Sequence, residues 1–192
     1  MMILLALSAC SDGSSTANTT NGQKSPQLDL ELTRRWWQWA ASEPTATNPV
    51  VDTTGENCHR GQPSDVFFLA GSFGTTETRQ CTLPKGTPIL IPVLNAVCGV
   101  QISDCGFGST ASKNATLDGE VLAIVNVASP SPVTIEPVAG NPVFPDVTGP
   151  VSVQLNGDWV LIPALEAGTY DLRVWGGEGG FALDVTYHLV VA

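Results

Sequence analysis

Four of the five cysteines in this 192-residue chain fall between Cys58 and Cys105, and that crowding limits the fold more than any other feature. In a chain bound for an oxidising compartment, cysteines so dense read as disulfides tying successive strands and loops together. Four cysteines admit three pairings. The sequential one, Cys58 with Cys81 and Cys98 with Cys105, is favoured because it closes short loops, and each bond would contribute roughly 2 to 4 kcal/mol. A zinc site is the rival, but the spacings lack a Cys-x-x-Cys knuckle, so no metal and no cofactor are expected.

The first residues supply the compartment. Residues 2 to 9 form an apolar run far short of the roughly 20 needed to cross a bilayer as a helix. The run ends in Leu7-Ser8-Ala9-Cys10, which resembles the lipobox of bacterial lipoproteins. That resemblance implies lipidation of Cys10 and a place in the bacterial cell envelope, on the periplasmic face or the cell surface, with the membrane as a partner through the lipid. Residues 1–9 then form a truncated signal peptide. Residues 10–25, with almost nothing to bury, form a disordered tether. Residues 26–192 are left as the folded domain.

Charged residues make up only 14% of the chain, while Gly (19) and Pro (14) are plentiful. That mixture favours many short strands joined by tight turns. The expectation is an all-β fold, an antiparallel β-sandwich of jelly-roll-like kind, with one N-terminal Trp-rich helix and two disulfides. A net charge of −10 argues against nucleic acid, because phosphate binding needs clustered Lys and Arg, and the one adjacent basic pair is Arg34-Arg35.

Ser25-Pro26 reads as an N-cap with Pro at the first helical position, opening a helix over 26–42 that Glu43-Pro44 stops. Leu28, Leu32, Trp36 and Trp39 recur at helical spacing, with Trp37 beside them. Trp36, Trp37, Trp39 and Trp159 are binding candidates as an aromatic platform; the competing reading is that they cover an open face of the sandwich. Asp65–Gly71 reads as a strand buried on both faces, with Thr75–Thr82 as its neighbour. Ile89–Leu94 is a strand that Pro88 and Pro92 make either an edge or bulged. Leu117–Val127 reads as a turn at Asp118-Gly119 followed by a buried strand, and Val133–Val138 as an edge strand. Val151–Leu155 and Asp158–Ile162 read as a hairpin on an Asn156-Gly157 turn. Whichever register holds, two large apolar residues of 159–162 point away from the main core, and the tryptophan helix is the obvious cover. A final hairpin joins Thr169–Trp175 to Phe181–Val191, with Phe181, Leu183, Val185, Tyr187, Leu189 and Val191 on one face and Asp184, Thr186 and His188 on the other. It can place Arg173 across from Asp184.

Between helix and first strand, residues 48–63 hold Asp52, Glu56, His59 and Arg60, a dense set of titratable groups in a loop rich in turn formers. With Arg79, Asn95 and His188 they supply the catalytic candidates Asp52, Glu56, His59, Arg79, Asn95 and His188. No Gly-x-Ser-x-Gly, His-Glu-x-x-His or nucleotide fingerprint is present. Trp36-Trp37-Gln38-Trp39, Asn48-Pro-Val-Val-Asp-Thr-Thr-Gly55 with Cys58, Val66-Phe-Phe-Leu-Ala-Gly71 and Leu183-Asp-Val-Thr-Tyr-His188 resemble a family of uncharacterised secreted microbial proteins over about residues 30–192. No established activity attaches to that family, so the resemblance carries over no catalytic residue. The sequence therefore points first to a binding module for a ligand, a glycan or an envelope protein. The alternative is an extracellular hydrolase or lyase, in which Asp52 or Glu56 works with His59 or His188 as acid and base on carbohydrate or another polymer.

Overall fold

The computed structural model describes residues 26–192, so the leader, Cys10 and the tether lie outside the described residues. In chain order the elements are α1 (Leu30–Ala40), β1 (Phe67–Phe68), β2 (Thr76–Leu83), β3 (Ile89–Gly99), β4 (Ser112–Leu117), β5 (Glu120–Val121), β6 (Val125–Ala128), β7 (Val133–Ile135), β8 (Val151–Ile162), β9 (Gly168–Glu178) and β10 (Phe181–Val191). They build two five-stranded sheets. The first runs β1-β3-β8-β6, with β7 also on β8, and the second runs β2-β10-β9-β4-β5. The expected antiparallel sandwich, helix and disulfides are all present, with one parallel pair in each sheet, β1 with β3 and β2 with β10.

Alternation along the strands divides the apolar residues into two cores. Ile91, Val93, Val160 and Ile162 of the first sheet meet Leu172, Val174, Val185, Tyr187 and Leu189 of the second between the sheets. On its other face the first sheet presents Leu90, Val153, Leu155 and Trp159, and α1 lies over them through Leu32, Trp36, Trp37 and Trp39. Trp36 meets Trp159 edge to face, with ring centroids 5.3 Å apart, a contact worth about 0.5 to 1.5 kcal/mol beyond the area it buries. The molecule is thus three layers: helix, sheet, sheet. Among the described residues, no helix lies on the outer face of the second sheet.

The helix starts later than expected. Asp29, not Ser25, is the N-cap, its carboxylate accepting from the Leu32 N–H at 2.9 Å, and the helical residues end at Ala40. Asp is as good a cap as Ser, and here it stands three residues ahead of an orphan N–H that it can reach. Beyond the C-terminus, two buried asparagines perform the same task. Asn48 and Asn141 each donate from Nδ2 to the carbonyls of Ala40 and Glu43, all four bonds at 2.8 Å. Each heads an Asn-Pro-Val tripeptide.

Several strand expectations are corrected. Asn156-Gly157 is not a turn: β8 runs unbroken through it, pairing with β3 on one side and β6 on the other. Gly157 is there for closeness, since a Cβ would sit 2.8 Å from the Asn95 Cβ and 2.7 Å from the Trp159 Nε1. The covered face was nevertheless anticipated, because Trp159 and Leu161 pack toward the helix while Val160 and Ile162 enter the inter-sheet core. Thr76–Leu83 is not the neighbour of the Phe67–Phe68 strand; it joins the opposite sheet beside β10. The β3 strand is central rather than an edge, and the register shift between Pro92 and Leu94 is the bulge that the prolines require. The strand after Asp118-Gly119 is exposed rather than buried, with Val121 at 72% and Val125 at 45% of full accessibility.

Candidate functional site

Residues 48–63 fold back onto the second sheet and make one wall of a cleft of about 490 Å³. Its lining includes Glu56 and His59 from the loop, Gln80 and Thr82 from β2, Thr169 and Asp171 from β9, and His188 and Val190 from β10. Three devices hold the loop. The Cys58–Cys81 disulfide joins it to β2, and Cys98–Cys105 closes a second short loop elsewhere, as the sequential pairing expected. The Gln80 N–H donates to the Thr54 carbonyl at 2.8 Å. Gly55, at φ +91°, lies so close to the Gln80 backbone that any Cβ there would collide with it.

Asp52 is a loop organiser rather than an acid facing the cleft. It accepts from the N–H groups of Thr54, Gly55 and Asn57 and from the Thr54 hydroxyl, at 2.8 to 3.0 Å. Burial alone would raise its pKa, but those donors outweigh burial and hold the carboxyl below the ordinary aspartate range. Gln62 serves the same loop. Its amide donates to the Cys58 and Phe68 carbonyls at 2.7 and 2.8 Å and accepts from the Phe68 N–H at 2.7 Å, standing in for a strand beside β1.

Arg79 is buried, at 1% of full accessibility, and also faces away from the cleft. It donates to the carbonyls of Ala70 and Gly71 at 3.1 and 3.0 Å and to the Tyr187 hydroxyl at 2.9 Å, tying the end of the first buried segment to β10. Asn95 lies in the other sheet opposite Gly157, and its amide nitrogen has no partner among the described residues. Of the six catalytic candidates, then, Glu56, His59 and His188 share the cleft, while Asp52, Arg79 and Asn95 do not. The binding candidates Trp36, Trp37, Trp39 and Trp159 are 1 to 5% exposed and belong to the core beneath the helix, so they offer no open aromatic platform.

His188 has a partner that sequence reasoning missed. Asp171 sits directly across the β9–β10 pair, with Oδ1 2.6 Å from His188 Nδ1. A carboxylate can only accept, so Nδ1 is the donor in this pair and Nε2 is turned away from Asp171. The signal was present in Gly179-Gly180. Both residues have positive φ, as a two-residue primed turn needs, and counting back from that turn puts Asp171 opposite His188. Arg173 and Asp184 do pair, at 2.6 and 2.8 Å, though on a diagonal of the ladder rather than face to face. The guanidinium holds the Asp184 carboxyl below its ordinary value.

A soft-metal site is not available at the cleft floor. Donor atoms of Cys58, His59 and Cys81 lie within 4.8 Å of one another, but both sulfurs are spent in the disulfide and provide no thiolate.

No family model matches the chain, and no curated protein matches it either. Among solved structures it shows a likeness to one described as the solution structure of Amebosin, at 10% identity and TM-score 0.27, covering 61% of this chain and 96% of that one. A second is described as PbICP-C in complex with falcipain-2, at 12% identity and TM-score 0.31, covering 67% of this chain and 100% of that one. Scores this low carry neither a fold assignment nor a function to this protein.

Proposed function

We propose that this protein is an exported binding module, held at the bacterial cell envelope by a lipid on Cys10, whose cleft over the second sheet takes a hydroxyl-rich ligand of the glycan class. The lining of the cleft carries the reading. Thr82, Thr169, Gln80, Glu56, Asp171, His59 and His188 put short hydroxyl, amide, carboxylate and imidazole groups around one opening, and such groups exchange hydrogen bonds with sugar hydroxyls. The two disulfides support maturation in an oxidising compartment. Support for the anchor comes from Leu7–Cys10 in the sequence.

A hydrolytic or lytic use of the same cleft is the second reading, favoured by Glu56, His59 and the Asp171–His188 pair lining one opening. Carboxylates and imidazoles are the usual acid and base groups. A thermal-shift screen of the oxidised full chain against a panel of soluble glycans tests both readings. Ligand binding to the native state raises the melting temperature, and His188→Ala should abolish the shift. A panel with no shift, or a shift that His188→Ala leaves intact, removes the glycan cleft. Shortened glycans accumulating with wild type but not with Glu56→Gln would replace the binding module with the hydrolase.

A further inference from the structure

The cleft is one end of a longer surface. The outward residues of the second sheet form rows across its strands: Thr76, Asp184, Trp175 and Asn114; then Thr78, Thr186, Arg173 and Thr116; then Gln80, His188 and Asp171. At the end opposite the cleft a second depression, of about 460 Å³, is lined by Ser112, Trp175, Glu178, Phe181 and Asp184. Both depressions open along the same β9–β10 pair.

Trp175 is the exception among the five tryptophans. The other four are buried, whereas Trp175 is part-exposed on the outer face, with the Arg173 guanidinium 4.7 Å from its ring centroid. Arg173 is itself held in place by its two bonds to Asp184. A tryptophan fixed by a stacked, ion-paired arginine is a pre-organised aromatic surface, and little side-chain entropy remains to be lost when a flat ring packs beside it.

We infer that the ligand is a linear, uncharged polysaccharide lying along β9 and β10 from the cleft to Trp175. This rests on the glycan reading of the cleft and extends it. Trp175 stands four residues from Asp171 on one strand, which at strand rise is about 13 Å, roughly the span of three sugar rings. Thr78, Thr116 and Thr186 lie between the two ends and supply hydroxyls at strand spacing. Charge selects the class. On this face Glu56, Asp171 and Asp184 stand against Arg173, within a chain of net charge −10, so a polyanion such as a uronic or sulfated glycan is repelled.

Neutral β-1,4-linked gluco-oligosaccharides of two to six units are titrated into the oxidised full chain, with binding followed by tryptophan fluorescence and calorimetry. Affinity should rise at least tenfold from the dimer to the tetramer and then level off. Binding should perturb the fluorescence of wild type but not of Trp175→Phe. Trp175→Ala should remove the gain with length. A dimer that binds as well as the hexamer, with Trp175→Ala inert and His188→Ala disabling, overturns the extended site and leaves the cleft reading standing. Absence of binding at every length removes both. Tighter binding of a polyuronate ladder overturns the uncharged class.

Discussion

The two sheets differ in what occupies their outer faces. On the first, β8 turns Val153, Leu155, Trp159 and Leu161 outward, and the helix covers them. On the second, β10 turns out Asp184, Thr186, His188 and Val190, and among the described residues no helix or strand lies over them. Both strands are long and both contribute their other face to the same inter-sheet core. An apolar outer face must be covered and is thereby committed to stability, whereas a polar one keeps its hydrogen-bonding groups available to a ligand. The cleft lies on the open side.

The contrast breaks most sharply at Trp36. Replacing it with Ala empties the contact between helix and Trp159, and a loss of about 3 to 5 kcal/mol is expected in denaturant unfolding. A loss below about 1 kcal/mol would mean that the helix does not hold the first sheet. Next comes the Cys58→Ser, Cys81→Ser double variant, expected to cost roughly 2 to 4 kcal/mol and to weaken ligand binding as well, because the bond clamps one wall of the cleft. Retained affinity in that variant would show that the loop is held without it.

Asn141→Ala removes two bonds to the carbonyls behind the helix and should cost about 1 to 3 kcal/mol. Binding at the cleft should be untouched, which separates the covered side from the open one. Asp52→Asn sharpens the comparison by pH. A carboxyl held below its ordinary value stabilises the fold at neutral pH, and that contribution fades as pH falls through about 3.9 toward the lower folded value. Wild type should therefore be the more stable at pH 7, and the two curves should converge in acid; a constant gap down to pH 2 would refute the role given to Asp52. The smallest effect belongs to Thr186→Ala on the open face, within about 0.5 kcal/mol of wild type.

Much of this division could be read from residue order alone. Alternation in β10 separated its core face from its polar face before any partner strand was known, because successive side chains in a strand point to opposite sides. The run from Trp159 to Ile162 demanded a cover, and the tryptophan helix is that cover. The Asn156-Gly157 step misled, since the same dipeptide that suits a tight turn also suits a place where a neighbouring strand crowds the backbone; only the position of Asn95 distinguishes the two. The site was legible in part. Glu56 and His59 stood out as a local cluster, but Asp52 and Arg79 look identical in sequence whether they face a cleft or bond to backbone.

Residue order by itself determined the strand-rich composition, the amphipathic alternation and the helix that must lie on something, because each depends on contacts close along the chain or on a period, and it favoured one of three half-cystine pairings that the folded chain then realised. Tertiary structure decided which sheet receives β2, that β8 runs straight through Asn156-Gly157, and that Glu56, His59, Asp171 and His188 share an opening while Asp52, Arg79 and Asn95 do not. Those outcomes depend on pairings between residues far apart in the chain, whose free energies differ by no more than a few hydrogen bonds and packed side chains. No local pattern encodes a difference that small.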